Sequence, residues 1–374
     1  MRPAVVLWST LAALALCGAL LRYLLYVYLT GNFSPLAFVD AVCLWDCGWF
    51  GRVAVGYEAT LPTNRDGQAS WAFFPLYPLL VKAVSVVTAL PWTAAGVLVS
   101  HILGVLAAGA ARPLFEKNRR AYWLFAFGLL LGPFSLLVAM PYSESLFILL
   151  TILVLVALQR GDYLQAGAWA ALLSATRVTG VLIGAAILLQ AIIDYRRKGG
   201  AWRDLPRAFL GNHRLLLGLA LVPLGLIVYI VYLRLLVGDG LAFAHAQVGW
   251  GRWLDNPFVQ FAYAIHLAWP TGGAWDRNAT YALGGAVAVV LTMLVALRGH
   301  YAAALFCLIA LVLSFSAGLT SSVRFAAGLA PLGIASAELI ATRLWLYWVS
   351  FPVGLAIGLW VVAGWLSGND FTMV

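Results

Sequence analysis

The segment Ala4–Leu29, AVVLWSTLAALALCGALLRYLLYVYL, decides the fold of this chain. It is longer than the roughly 20 residues that an α-helix needs to cross the hydrocarbon core of a bilayer. Its apolar residues are continuous, whereas a strand of a membrane barrel alternates apolar and polar positions, so a helix is expected. Leu16 is too large for the position before a lipoprotein cysteine, and the apolar run continues past Cys17. We therefore expect an uncleaved first helix rather than a signal peptide.

Blocks of the same kind recur along all 374 residues, of which 63% are hydrophobic and 10% are charged. A water-soluble protein would carry about 25% charged residues, so the soluble classes are excluded. The further apolar blocks cover roughly 71–90, 93–111, 121–139, 144–159, 164–176, 179–193, 214–237, 279–297, 301–318, 325–341 and 345–366. The pattern predicts an all-α polytopic membrane protein in which a single domain, 1–374, forms about 11 transmembrane helices.

The basic residues give a formal charge of +9, but they lie between apolar blocks, where they orient helices instead of indicating nucleic acid. With the N-terminus inside, the inner loops receive most of the Lys and Arg residues. These include the cluster Arg112–Arg120, which contains Lys117, and the run Arg196–Arg214. Two long segments, 30–92 and 238–278, then lie outside together with most of the acidic residues. The segment 71–90 fits this topology only if it lies at the outer interface or dips in and returns.

The first outer segment carries the strongest candidate for chemistry, between Phe38 and Tyr57. As one helix, it would place Val42, Trp45, Trp49 and Val53 in a stripe suited to the membrane interface. Asp46 would then lie at the boundary between membrane and water, where its carboxylate can accept a proton from a sugar hydroxyl. The alternative is that Asp46 only solvates the polar edge of that helix.

Arg177 lies between the blocks 164–176 and 179–193, which are too short for two full spans and predict a re-entrant or short-helix hairpin. An arginine there is costly in lipid, so it should face a polar cavity or a bound anion. Its guanidinium matches a phosphate group, and the alternative is a buried pair with a carboxylate such as Glu144. Glu144 has an alternative of its own, because it begins a helix whose dipole favours a negative charge.

The remaining motifs allow both structural and functional interpretations. Tyr77 belongs to the proline-rich segment Phe73–Leu80, which is either a rigid interfacial wall or a kinked helix start. His245 and Arg252 lie in the second outer segment, and Arg324 opens an outer helix end, where it either binds phosphate or anchors at the interface. The four cysteines do not predict a disulfide framework, and Cys43 and Cys47 lack the second pair that a zinc site requires.

Taken in order, these motifs resemble the PIG-V-type (GPI mannosyltransferase II-like) family, whose eukaryotic members add the second mannose of the GPI anchor and which has shorter bacterial relatives. The resemblance covers roughly residues 40 to 330. It rests on Trp45-Asp46-x-x-Trp49-Phe50 with Gly56-Tyr57, Phe73-Phe74-Pro75-Leu76-Tyr77-Pro78-Leu79-Leu80, Tyr142-Ser143-Glu144-Ser145-Leu146-Phe147, Thr176-Arg177-x-Thr179-Gly180, Gly238-Asp239 to Trp250-Gly251-Arg252, and Arg324-Phe325. Cys47 departs from the pattern of the first motif.

The resemblance implies a GT-C-type bundle and an inverting glycosyltransferase that uses a polyprenyl-phosphate sugar, usually mannose, and a glycolipid or glycan acceptor. Asp46 would be the general base, with Asp40 as second choice. The implied contacts to substrate or donor phosphate are Arg177, Arg324, Arg252, Glu144, Tyr77, Trp49, Asp40 and His245. No cofactor is required by the motifs, although acidic residues of the outer segments leave room for a divalent cation. The short chain favours a bacterial plasma membrane with an outward-facing site, or the ER membrane if the source is eukaryotic.

Two other functions share the same spans. A secondary transporter or flippase for a lipid-linked sugar needs charges near the bilayer midplane and two related halves, whereas the acids here cluster in outer segments. A catalytically silent subunit of a glycosyltransferase complex would not need Asp46.

Overall fold

The computed structural model describes residues 3–62, 67–116, 118–268 and 277–368. These residues form nineteen α-helices and no strand. The helices are α1 Pro3–Thr30, α2 Pro35–Val42, α3 Cys47–Val55, α4 Leu76–Thr88, α5 Trp92–Ala111, α6 Arg119–Leu130, α7 Glu144–Gln159, α8 Tyr163–Ser174, α9 Ile183–Arg197, α10 Leu205–Leu210, α11 His213–Leu221, α12 Leu224–Val237, α13 Ala242–His245, α14 Pro257–Ala268, α15 Arg277–Leu297, α16 Tyr301–Ser316, α17 Ser322–Ala327, α18 Ala330–Ala341 and α19 Leu344–Leu366. Short 3₁₀ turns cover Ser70–Ala72, Arg112–Phe115, Ser135–Val138, Val178–Leu182, Trp202–Asp204 and Ala246–Trp250.

The all-α prediction is confirmed for the described part of the chain. Six of its helical segments are long and apolar enough to cross a bilayer: Ala4–Thr30, Trp92–Phe115, Val178–Arg197, His213–Val237, Asn278–Leu297 and Leu344–Leu366. Four shorter apolar helices accompany them: Leu76–Thr88, Glu144–Gln159, Tyr301–Ser316 and Ala330–Ala341. These helices identify the chain as an integral membrane protein. The total of about 11 spans stays a prediction. Lys117 and the part 269–276 of the second outer segment lie outside the described residues.

Helix α7 lies at the centre of the bundle, where it packs against α5 and α8. Nearly all of its side chains are buried, including Glu144 in its first turn. A helix that is apolar on all sides is stable either inside a bundle or against lipid, and neighbouring helices cover this one. Because Glu144 lies at the N-terminus of α7, the helix dipole favours its negative charge.

Caps and small residues set the ends and spacings of the other helices. The side chains of Asn118, Asp162 and Asn212 accept hydrogen bonds from backbone N–H groups at the starts of α6, α8 and α11.

Gly167 of α8 faces α11 so closely that a Cβ there would lie 2.1 Å from the Gly218 carbonyl oxygen. Small residues allow this backbone approach in membrane helices, so any larger residue would separate the pair.

Two predicted elements are wrong in detail. The interfacial helix between Phe38 and Tyr57 is two helices, α2 and α3, and the chain turns at residues 43–46 between them. Val42 is therefore fully buried while Trp45 is exposed, and the predicted stripe does not exist.

Around Arg177 the chain does break between α8 and the 3₁₀ turn before α9. However, Val178–Arg197 is long enough to span alone, which the re-entrant prediction did not allow.

Candidate functional site

A cavity of about 760 Å³ lies beside the N-terminal end of α7. Its wall combines aromatic and apolar side chains with a group of charged ones. The charged and titratable side chains on the wall are Asp46, Tyr142, Glu144, Arg177, His245, Arg252 and Arg324. Residues far apart in the sequence thus meet at one place.

Arg324 is the centre of this group, because its buried guanidinium contacts both carboxylates. Its Nη2 lies 2.7 Å from Asp46 Oδ2, and its Nε lies 3.5 Å from Glu144 Oε1. Arg177 Nη1 donates to the same Glu144 oxygen at 3.1 Å. The buried pair of Arg177 with Glu144, one of the two alternatives for this arginine, is therefore present, and it lies on the cavity wall.

Asp46 and Glu144 differ in exposure and in partners. The Asp46 side chain is 27% exposed, whereas that of Glu144 is 1% exposed. Glu144 Oε2 is buried and has no hydrogen-bond partner among the described residues. Of the two carboxylates, Asp46 is the one that a molecule in the cavity can reach. Glu144 is buried, and its contacts orient Arg177 and Arg324.

Three guanidinium groups surround the ring of Phe325. The centroid of that ring lies 4.8 Å from Cζ of Arg177, 5.4 Å from that of Arg324 and 5.6 Å from that of Arg252. An aromatic face attracts such cations, so one side chain helps to hold three like charges together. Sequence reasoning quoted Phe325 as part of a motif but did not select it as a site residue.

Arg252 differs from the other two arginines. Its Nη2 lies 3.4 Å from Ser321 Oγ, and no described carboxylate is in ion-pair contact with it. Three arginines against two carboxylates leave the group with one surplus positive charge, counting His245 as neutral. A surplus cation beside a cavity is suited to an anion, and guanidinium donors match a phosphate or a carboxylate bidentately.

His245 lies on the cavity wall and is largely exposed. Its Nδ1 lies 2.7 Å from Asp239 Oδ2, and this hydrogen bond is the main reason that the pKa of Asp239 is below its usual value. His245 is thus a polar part of the cavity wall that water can reach, and Asp239 holds its ring from outside the wall.

Three predicted contacts are not on the cavity wall. Asp40 is exposed and accepts a hydrogen bond from Thr93 Oγ1 at 2.8 Å. Tyr77 is fully buried, with its hydroxyl 2.7 Å from Ser100 Oγ, which corresponds to a structural role in the kinked segment. Trp49 stacks on Phe73, which does line the cavity, and so supports the wall from behind.

Cys43 and Cys47 are joined by a disulfide across the turn that carries Asp46. One disulfide is not a framework, so the prediction of no disulfide framework is not contradicted, but the bond between these two cysteines was not predicted. Among the described ranges, no three side chains of His, Cys, Asp or Glu lie close enough to hold a metal ion.

Comparisons of the chain with protein-family models, curated proteins and solved structures found no match.

Proposed function

We propose that the protein is an inverting glycosyltransferase, which moves mannose or a similar hexose from a polyprenyl-phosphate sugar to a glycolipid or glycan acceptor. The observation that carries the proposal is the cavity in which a partly exposed carboxylate, Asp46, faces a group of arginines with a surplus positive charge. An attacking hydroxyl needs the first group, and a phosphate leaving group needs the second.

In this reaction the acceptor hydroxyl gives its proton to Asp46 while its oxygen bonds to the anomeric carbon from the side opposite the phosphate. The bond between that carbon and the phosphate oxygen breaks, and the polyprenyl phosphate leaves with the electron pair. Attack in line inverts the configuration at the anomeric carbon. Arg252, which has no carboxylate to neutralise, is the first contact of the phosphate, and Arg177 and Arg324 add to it.

The apolar part of the wall supports a lipid-linked donor rather than a soluble nucleotide sugar. Val248, Trp253 and Leu254 line the cavity close to Arg252 in the sequence and are all largely exposed. Side chains of this kind are stable beside acyl or prenyl chains at a membrane surface. A phosphate at Arg252 would leave its lipid chain along these residues.

The disulfide supports an extracytoplasmic position of the site. Disulfides persist in oxidising compartments and are rare where thiols are kept reduced. Cys43–Cys47 lies in the same turn as Asp46, so both are on the same side of the membrane. We infer an outward-facing site in a bacterial plasma membrane, or a lumenal one in the ER membrane if the source is eukaryotic.

The test is transfer of radiolabelled mannose from polyprenyl-phosphate mannose in membranes that contain the wild type, Asp46→Asn or Asp40→Asn at equal expression. Loss of a general base lowers rates by about 100-fold or more, and this loss is expected for Asp46→Asn. Asp40→Asn is the matched variant, because it removes a carboxylate from the same outer segment but not from the cavity wall.

Equal labelling by the wild type and Asp46→Asn would remove Asp46 as the base. A loss confined to Asp40→Asn would transfer the role to that residue. If the wild type labels no lipid or glycan, the donor or the reaction class is wrong.

A further inference from the structure

The turn that carries Asp46 is held in an unfavourable conformation. Trp45 has a φ of 52°, in the left-handed region that residues with a side chain rarely adopt. Asp46 occupies the N-cap position of α3, yet its side chain makes no cap hydrogen bond and instead reaches Arg324. A turn with these two features does not form from local preference, so contacts from elsewhere must hold it.

Tyr142 supplies two of these contacts with one hydroxyl group. The hydroxyl accepts the backbone N–H of Asp46 at 2.9 Å and donates to the carbonyl oxygen of Leu44 at 2.6 Å. Burial raises the pKa of Tyr142 well above its ordinary value, and the nearby Asp46 charge adds to this, so the hydroxyl keeps its proton for donation. The same ring lies 5.1 Å from the Arg324 guanidinium carbon, so Tyr142 touches both members of the ion pair.

The two ends of the turn are held separately. The Cys43–Cys47 disulfide joins the residues on either side, with their Cα atoms 5.2 Å apart. Trp365 of α19 donates from Nε1 to the carbonyl oxygen of Val42 at 3.1 Å, and its ring packs edge-on against Tyr142. The turn around Asp46 is therefore held by Tyr142 before α7, by Trp365 of α19 and by the disulfide across it.

We propose that Tyr142 and the Cys43–Cys47 disulfide are positioning groups, which hold the Asp46 carboxylate against Arg324 at the cavity wall, and that reduction of the disulfide slows transfer without weakening substrate binding. The inference rests on the proposed function. In the reduction, one dithiothreitol molecule gives two electrons and two protons to the S–S bond. The products are two cysteine thiols and the cyclic disulfide of the reductant.

The experiment combines hydrogen–deuterium exchange with kinetics on the full-length protein in detergent or nanodiscs. The variants are Tyr142→Phe and the double variant Cys43→Ser/Cys47→Ser. Tyr163→Phe is the matched control, because its hydroxyl also donates a strong hydrogen bond, to Asp194 Oδ2 at 2.7 Å, but away from the cavity wall. Peptides that cover residues 43–49 report the Asp46 amide without any need for activity.

We expect Tyr142→Phe to raise the exchange rate of the Asp46 amide by about tenfold, since the hydroxyl that accepts it is gone. The value of kcat should fall by about tenfold while KM stays within about twofold, because the substrate contacts remain. The double variant, and the wild type in dithiothreitol, should also show faster exchange of the Asp46 amide and a lower kcat. Tyr163→Phe should change neither the exchange rate nor kcat. In an Asp46→Asn background, Tyr142→Phe should have no further effect on the rate.

Unchanged exchange at residues 43–49 in Tyr142→Phe would overturn the inference, whatever the activity. Faster exchange with unchanged kcat, or a change in KM alone, would also overturn it. If exchange rises as expected but the wild type transfers no sugar, the proposed function fails and the positioning of Asp46 stands.

Discussion

Two buried arginines in this protein have opposite surroundings. Arg324 is 3% exposed and Arg22 is 2% exposed, so each places a guanidinium out of contact with water. Arg324 contacts two carboxylates on the wall of a cavity. Arg22, in α1, contacts His101 Nε2 at 2.8 Å, and no described carboxylate pairs with it. Its Nε and Nη1 have no hydrogen-bond partner in the described part of the chain.

These surroundings indicate that Arg324 belongs to the candidate site and that Arg22 is a packing contact between helices. His101 accepts from Arg22 through Nε2, so its proton is on Nδ1, which donates to the Val97 carbonyl oxygen at 2.7 Å. This chain of bonds joins α1 to α5. At Gly18, a Cβ would lie 2.3 Å from the Leu130 carbonyl oxygen and 3.1 Å from Arg22 Nη1, so α6 is close as well. Arg22 thus joins α1 to α5 beside the closely packed α6, whereas Arg324 contacts two carboxylates on the wall of a cavity.

The largest effect is expected for Arg324→Gln, which removes the shared partner of Asp46 and Glu144. Breaking a buried ion pair costs about 3–5 kcal/mol because a charge is left without compensation. We expect a large drop in melting temperature, together with loss of transfer by about 100-fold or more, since the proposed contact to the leaving phosphate is lost too. Thermal unfolding in detergent and the mannose-transfer assay measure the two effects.

Arg298→Gln is the matched control for Arg324→Gln. It breaks the bond between Arg298 Nη1 and Glu338 Oε2, a 2.6 Å ion pair that is not on the cavity wall. Arg298→Gln should lower the melting temperature less than Arg324→Gln does, and it should leave kcat and KM unchanged. Normal transfer by a folded Arg324→Gln variant would show that the charge group serves stability alone.

A smaller and more selective effect is expected for Arg252→Gln. No described carboxylate loses an ion-pair partner, so the melting temperature should stay the same. If Arg252 binds the donor phosphate as proposed, the variant removes a charged hydrogen bond worth about 1.5–3 kcal/mol, so KM for the donor should rise by about tenfold or more. Donor-dependent initial rates measure this change.

Arg234→Gln controls for net charge near the predicted outer segment 238–278, because Arg234 is exposed at the end of α12 and donates to the Gly238 carbonyl oxygen. Equal increases in KM for the two variants would mean a general electrostatic effect instead of a phosphate contact at Arg252.

The sequence predicted the parts of the molecule that depend on the bilayer and on the cost of burying charge. Continuous apolar blocks must be helical in lipid, so the all-α architecture followed from composition. Arg177 and Glu144 are each expensive to bury alone, so their pairing was foreseeable as one of two alternatives.

The turn at residues 43–46 was not foreseeable in the same way. Local apolar spacing favours a single helix there, and only contacts with Tyr142 and Trp365, distant in sequence, together with the disulfide, overcome that preference. Similarly, nothing in the spacing of the motifs indicates that Phe325 stands between three guanidinium groups. Such features depend on tertiary packing, which a periodic pattern does not contain.

The smallest effect is expected for Arg22→Met, and it is the sharpest test of the comparison. An intramembrane arginine is a functional candidate by default, so its removal should abolish activity if it serves a substrate. If Arg22 is a packing contact, Met fills a similar volume and removes a charge that no described carboxylate compensates. We then expect transfer within about twofold of the wild type and a melting temperature that does not fall, because replacing a buried charge by a packed apolar side chain is neutral or stabilising. Loss of transfer by a variant that is folded and as stable as the wild type would place Arg22 in the same class as Arg324.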